Sequence, residues 1–202
     1  MSRGARQNLS AWSAVVLALV GGGAQAGTAP SAPNMALGNP RARVTVIEYA
    51  SVGCSHCAVW AREVFPKFKA KYIATGKVRF EFHEMLTGEP TLAAAGFLTA
   101  RCADPKRYFQ VIDAVFARQD DIIKARGPGI LTGIAKDAGL SQDRFTACLK
   151  DRGALNALDD RTQRDARDHG VSGTPTFFIG GKKLEGEQSL AALDAAIAGA
   201  KR

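Results

Sequence analysis

Val44-Thr45-Val46-Ile47-Glu48-Tyr49-Ala50, followed by Ser51-Val52-Gly53 and then Cys54-Ser55-His56-Cys57, is the stretch on which the reading of this 202-residue chain turns. Its first seven residues are β-branched, aromatic or apolar apart from Glu48, the composition of a strand, and Ser51-Val52-Gly53 breaks the run. Beyond it, Trp60, Val64 and Phe68 recur every four positions, with Arg62 and Lys67 between them and Lys69 and Lys71 just after. That period predicts a helix beginning at or just before Cys54. Cysteines with two residues between them at a helix start lie about one turn apart, so Cys54 is expected to present its sulfur beyond the helix end and Cys57 to be sheltered inside.

A helix N-terminus offers unpaired N–H groups and partial positive charge, and both stabilise a thiolate at Cys54. His56 adds a cation when protonated. A stabilised thiolate favours the dithiol over the disulfide, so such a pair tends to oxidise its partners by thiol–disulfide exchange. Cys54 is the sulfur that attacks or is attacked, and Cys57 the resolving thiol. The competing reading is a zinc or copper site on Cys54, His56 and Cys57. Zinc normally takes four ligands, and Cys102, Cys148, His83 and His169 are all isolated in the sequence, so redox chemistry is preferred, with no metal and no cofactor expected. An inert structural disulfide is disfavoured because a helix-start pair is strained and exposed.

The N-terminus reads as a secretory leader, residues 1–26: Arg3 and Arg6, an apolar Ala14 to Val20, and a cleavage site at Ala24-Gln25-Ala26. The apolar run is too short to span a bilayer comfortably. A soluble protein of an oxidising compartment, the bacterial periplasm, is therefore expected. The formal charge is +8, about +6 without Arg3 and Arg6. Its basic residues are scattered among acidic ones, with no run interleaved with aromatics, which argues against nucleic-acid binding. Residues 27–40 read as a flexible, Pro-containing lead-in, in which a strand at Met35 to Leu37 finds no support. Residues 41–202 make one domain.

Within that domain the first helix is expected to run from Cys54 to Ala74 with a kink at Pro66. Val78, Phe80 and Phe82 then alternate with Arg79, Glu81 and His83 in a strand whose polar side places His83 at the surface. From about 91 to 170 the periodicity is helical, with Gly127-Pro128-Gly129 as a break and Ser141 as a helix cap. Thr176-Phe177-Phe178-Ile179, Gly180-Gly181 and Lys182-Lys183-Leu184-Glu185 form a hairpin, and Gln188 to Ala200 a final helix. The order is that of an α/β domain with a helical insertion.

Gly38-Asn39-Pro40, Val44 to Ser51, Cys54-Ser55-His56-Cys57 and Val171 to Gly181 together make the chain resemble a DsbA-like thiol:disulfide oxidoreductase of the thioredoxin superfamily. The resemblance implies a thioredoxin-like fold in which the helical block is an insertion between the strand-helix-strand and strand-strand-helix halves. It also implies that Thr174-Pro175 is a cis-proline loop held against the cysteines, with Thr174 backbone free to pair with an extended substrate. Glu48, on the face of Val44 and Val46, would be a buried carboxylate exchanging a proton with Cys57. Ser55 departs from the proline of the best-known oxidases, so the direction of the redox tuning follows but not its strength. The remaining cysteines, Cys102 and Cys148, are even in number and exported, which favours a structural disulfide between two helices.

The expected activity is a monomeric periplasmic oxidase that donates its Cys54–Cys57 disulfide to reduced or unfolded exported polypeptides. A membrane quinone reductase similar to DsbB would reoxidise it. The alternatives are a disulfide isomerase or reductase kept reduced by a membrane donor, and a copper-binding chaperone using the same cysteines.

Overall fold

The computed structural model describes Met1 and residues 34–200, so the leader lies outside the described residues. The described chain opens with the strands β1 (Met35–Gly38) and β2 (Val44–Ala50). Helices α1 (Ser55–Glu63) and α2 (Phe65–Phe68) follow, then a π-turn at Lys69–Ile73 and strand β3 (Val78–Glu84). The helical block holds α3 (Pro90–Cys102), α4 (Tyr108–Ala117), α5 (Gln119–Ala125), α6 (Gly129–Asp137), α7 (Gln142–Lys150) and α8 (Arg152–His169). The chain closes with β4 (Thr176–Ile179), β5 (Lys182–Glu185) and α9 (Leu190–Ala200).

Strand order is β1-β3-β2-β4-β5. Only β2 and β3 pair in parallel, and the connection such a pair requires is supplied by α1 and α2. The other neighbours are antiparallel, with β4 and β5 joined through Gly180-Gly181, both at positive φ as a tight primed turn demands. Val46, Phe80, Phe177 and Ile179 are buried on one face of the sheet, where Trp60 of α1 packs 4.8 Å from Phe177, Phe109 of α4 meets Phe80, and Leu193 and Ile197 of α9 join the cluster. Fully burying each large side chain in such a cluster is worth about 1.5–3 kcal/mol. The opposite face carries Tyr49, Met85 and Val171 with Ile47 and Phe178. The result is the expected α/β thioredoxin-like sheet with its helical block between β3 and β4.

Several local expectations change. Met35–Gly38 is not a loose lead-in: it pairs antiparallel with β3, Met35 opposite Phe82 and Leu37 opposite Phe80, so the ordered domain starts before residue 41. Four residues on a sheet edge carry too little periodicity to announce themselves. The first helix is not continuous to Ala74. It ends at Val64, because Pro66 has no N–H to offer the Arg62 carbonyl one turn back. His83 is 6% exposed and not at the surface. It does face away from Phe80 and Phe82, but α8 covers that side: His83 Nδ1 lies 2.9 Å from Asp165, and Asn34 Nδ2 lies 2.9 Å from Nε2. Alternation assigns a face; what covers the face is a tertiary matter.

Cys102, at the end of α3, and Cys148, in α7, are joined by a disulfide across 46 residues. Closing that loop constrains the unfolded chain by about 2–4 kcal/mol. Replacing both cysteines with alanine is therefore expected to lower the unfolding free energy by that amount, read as a fall in the urea midpoint, while leaving thiol–disulfide exchange at wild-type rate; an unchanged midpoint would contradict it.

Candidate active site

β2 ends in the turn that delivers Cys54. Ser51 Oγ donates to the Thr87 carbonyl at 2.8 Å and accepts from Gly53 N–H at 3.1 Å, and Cys54 N–H donates to the Ser51 carbonyl at 3.1 Å. Gly53 and Gly88 touch backbone to backbone: a Cβ on Gly88, whose φ is +73°, would stand 2.1 Å from the Gly53 oxygen, and one on Gly53 2.4 Å from the Glu89 oxygen. Only glycine permits that approach. Cys54 is the N-cap of α1, with extended backbone and no side-chain cap. Its sulfur thus stands where the first N–H groups of the helix are unpaired.

The two sulfurs differ in surroundings, though less in exposure than expected. Cys54 is 8% exposed and Cys57 fully buried. Both are free thiols in this structure. The Cys54 pKa falls to about 5, chiefly because the Cys57 thiol hydrogen-bonds to it, with help from the Thr174 side chain and the backbone N–H groups of Cys57 and His56. Burial opposes this. As a neutral thiol, Cys54 donates to the Thr174 carbonyl at 3.3 Å. Cys57 is pushed well up, first by burial, then by its bond to Cys54 and by the nearby Glu48 charge. Ser55 and His56 are exposed, and His56 Nδ1 lies 2.6 Å from Glu187, which raises the His56 pKa and so favours the cationic form.

Thr174 sits opposite, half-buried, and its bond to Pro175 is cis. Thr174 Oγ1 shares a 2.6 Å hydrogen bond with Thr87 Oγ1, so the loop before α3 ties the Thr174-Pro175 loop to the Cys54 turn. Glu48 is 3% exposed on the core face of β2, between Phe82 and Phe177 in register. Burial lifts its carboxyl well above the usual range, and the Cys54 charge adds to the lift. Among the described residues no three His, Cys, Asp or Glu side chains gather as metal ligands would.

The sequence reading missed Thr87, Glu187 and Gln119. Gln119, 1% exposed at the start of α5, donates its amide to the Val52 carbonyl at 2.7 Å and the Cys54 carbonyl at 3.1 Å. Nothing near Gln119 in the sequence points 65 residues back, so no local signal could find it. Gln119→Leu is expected to cost about 1–3 kcal/mol by leaving a buried carbonyl unpaired. It should also move the Cys54 thiolate titration, read at 240 nm, upward as the turn loosens. Full stability with an unmoved titration would show the amide to be idle.

Against this geometry, comparison with known proteins is informative. The family described as thioredoxin matches residues 31–198. A Rickettsia bellii protein provisionally named protein-disulfide oxidoreductase is 30% identical over 166 residues, 81% of this chain and 63% of that one. Bacillus subtilis disulfide bond formation protein D is 26% identical over 155 residues, 74% of this chain and 68% of that one. The chain spans 56–63% of the length of these Rickettsia relatives. The crystal structure of Wolbachia pipientis alpha-DsbA1 superposes with a TM-score of 0.74 at 28% identity, covering 83% of this chain and 92% of that one. A helix-capping Cys54 facing the Thr174-Pro175 loop, on a fold shared with these proteins, places the chain in the thioredoxin family as a DsbA-like member.

Proposed function

We propose that the protein is a thiol:disulfide oxidoreductase that gives its Cys54–Cys57 disulfide to exported polypeptides. The observation that carries this is the opposed displacement of the two thiols: Cys54 down to about 5 and Cys57 well up. A thiolate stabilised only in the dithiol form makes the disulfide the higher-energy state, and the disulfide is then passed on. The names of the Rickettsia and Bacillus relatives support the same chemistry.

In the forward reaction a substrate thiolate attacks Cys54 Sγ. The Cys54–Cys57 bond breaks, Cys57 leaves with the electron pair, and a substrate–Cys54 disulfide forms. Cys57, buried and ill-suited to carry charge, takes a proton, for which the Glu48 carboxyl, whose hold on its proton burial strengthens, is the donor. A second substrate thiolate then attacks the substrate sulfur of the mixed disulfide and expels Cys54 as its stable thiolate. The substrate is oxidised by two electrons and the protein reduced by two. Thr174, beside Cys54 and preceding a residue without an N–H, offers its backbone to an extended substrate as an added strand. A leader at residues 1–26 would deliver the protein as a monomer to the periplasm, where a membrane quinone reductase similar to DsbB would restore the disulfide. Among the described residues no helix is long and apolar enough to cross a membrane.

The test mixes the oxidised protein anaerobically with a reduced, unfolded two-cysteine polypeptide. One substrate disulfide should form for each Cys54–Cys57 pair reduced. Unchanged thiol counts on both partners would overturn the reading.

A further inference from the structure

In the proposed reaction Glu48 gives up a proton in every forward turnover, yet it is 3% exposed. It must be reprotonated from somewhere. Glu48 lines a small pocket of about 10 Å³ together with Asp113 and the apolar side chains of Ala61, Phe65, Phe80 and Phe109. That is the lower limit of room for a single water, which also needs at least two polar partners. Trp60 on the same wall has its indole N–H committed to the Gln188 carbonyl at 3.0 Å. The side chains left to hold a water there are the carboxyls of Glu48 and Asp113.

Asp113 belongs to α4, in the helical block, and its surroundings continue outward. A surface groove of about 310 Å³ shares the walls Ala61, Phe65, Asp113 and Phe116 with the inner cavity and adds Arg62 and Lys69 on the solvent side. Asp113 is exposed and lines this groove. Apolar neighbours raise its carboxyl, with Lys69 pulling the other way. Arg62 is partly committed, donating to the Phe116 carbonyl at 3.2 Å. One acidic residue thus lines both the pocket that holds Glu48 and the open groove beside it.

We infer that Asp113 is the outer port of a proton path that runs from solvent through one cavity water to Glu48 and so to Cys57. The inference rests on the oxidoreductase reading and deepens it. When Cys57 leaves as thiolate, Glu48 gives its proton to Cys57 Sγ, the cavity water gives one to Glu48, Asp113 gives one to the water, and solvent restores Asp113. One proton enters per disulfide opened, and reoxidation drives one proton out along the same groups. Asp113 touches neither sulfur; it is a positioning residue that acts through Glu48, and it makes α4 part of the redox machinery.

The test is single-turnover reduction of the oxidised full chain by dithiothreitol, from about pH 5 to about pH 8, in wild type, Asp113→Asn, Asp113→Glu, Ala61→Val and Glu48→Gln. Asp113→Asn should slow the step about tenfold at neutral pH, less than the hundredfold or more of a group that passes the proton directly. Its reduction potential should not move, added formate should restore the rate, and Asp113→Glu should retain it. Ala61→Val, which narrows the shared wall without touching a carboxyl, should slow the step as Asp113→Asn does. If Asp113→Asn and Ala61→Val keep the wild-type rate and pH profile while Glu48→Gln is slow, the path through Asp113 is overturned and the role of Glu48 stands. If Glu48→Gln is also unimpaired, both fall. A wild-type disulfide that dithiothreitol does not open would overturn the oxidoreductase reading itself.

Discussion

Cys54→Ser is expected to abolish thiol–disulfide exchange, and Cys57→Ser to stop it halfway, with substrate held on Cys54 as a mixed disulfide. The asymmetry follows from the two environments. Cys54 stands at the helix N-cap with part of its surface open, whereas Cys57 is fully buried one turn inside α1 and meets no large substrate directly. Removing Cys57 leaves a reactive sulfur with no internal rival, so adducts persist and are visible as a mass shift under non-reducing conditions. In the reduced wild type, Cys54 should attack a disulfide at a rate nearly constant above about pH 6 and falling tenfold per unit below about pH 5. An ordinary cysteine, with a pKa near 8.5, would instead still be gaining rate through neutral pH. The same displacement is a stability statement. A folded-state pKa lowered to about 5 contributes stability that is complete above the unfolded value and is lost as pH falls through about 5. The oxidised form has no Cys54 thiolate, so the advantage of reduced over oxidised protein should shrink steadily as the solution is acidified from about pH 8.5 to about pH 5.

Glu84→Ala is expected to cost about 3–5 kcal/mol of unfolding free energy, among the largest losses for a residue away from the sulfurs. Glu84 ends β3 with its carboxylate completely buried. Arg101 of α3 grips it through Nε at 2.8 Å and Nη2 at 3.0 Å, Tyr108 of α4 donates its hydroxyl at 2.8 Å, and Arg161 of α8 closes the other side. One acid thereby fastens three helices of the insertion to the sheet. Deleting it leaves Arg161, itself 7% exposed, without its counter-charge in a site that water does not reach. A double replacement of Glu84 and Arg161 by apolar residues of similar volume should recover much of the loss, since the penalty lies in the orphaned charge. Urea unfolding reads both effects as shifts in midpoint. A loss below about 1 kcal/mol for Glu84→Ala would reduce the cluster to the worth of a surface pair.

What the sequence made legible was local. The strand before Cys54 and the helix after it, the Gly180-Gly181 hairpin, Ser141 as the cap that accepts from Arg144 N–H, and the helical block all announce themselves through periodicity or turn chemistry. Glu48 was legible for a related reason: an acid in step with Val44 and Val46 must go inside. What escaped depends on distant partners. His83 looked solvent-facing because nothing in β3 says that α8 will lie over it, and Asp165 is 82 residues away. Gln119, Thr87 and Glu187 reach the Cys54 turn, Thr174 and His56 from separate segments, each as an ordinary polar residue in its own surroundings. Asp113, exposed on α4, carries no sequence signal that it lines a pocket with Glu48. The break at Val64 was misplaced by two residues, since a proline disturbs the turn before it and not its own position.

The central claim is that this fold destabilises the Cys54–Cys57 disulfide relative to the dithiol. The reduction potential of that pair, equilibrated in glutathione buffers at neutral pH, tests it most directly. A value less negative than about −220 mV, on the oxidising side of the glutathione poise, is the predicted result. A value near the thioredoxin figure of about −270 mV would contradict the account and make the protein a reductant of its partners.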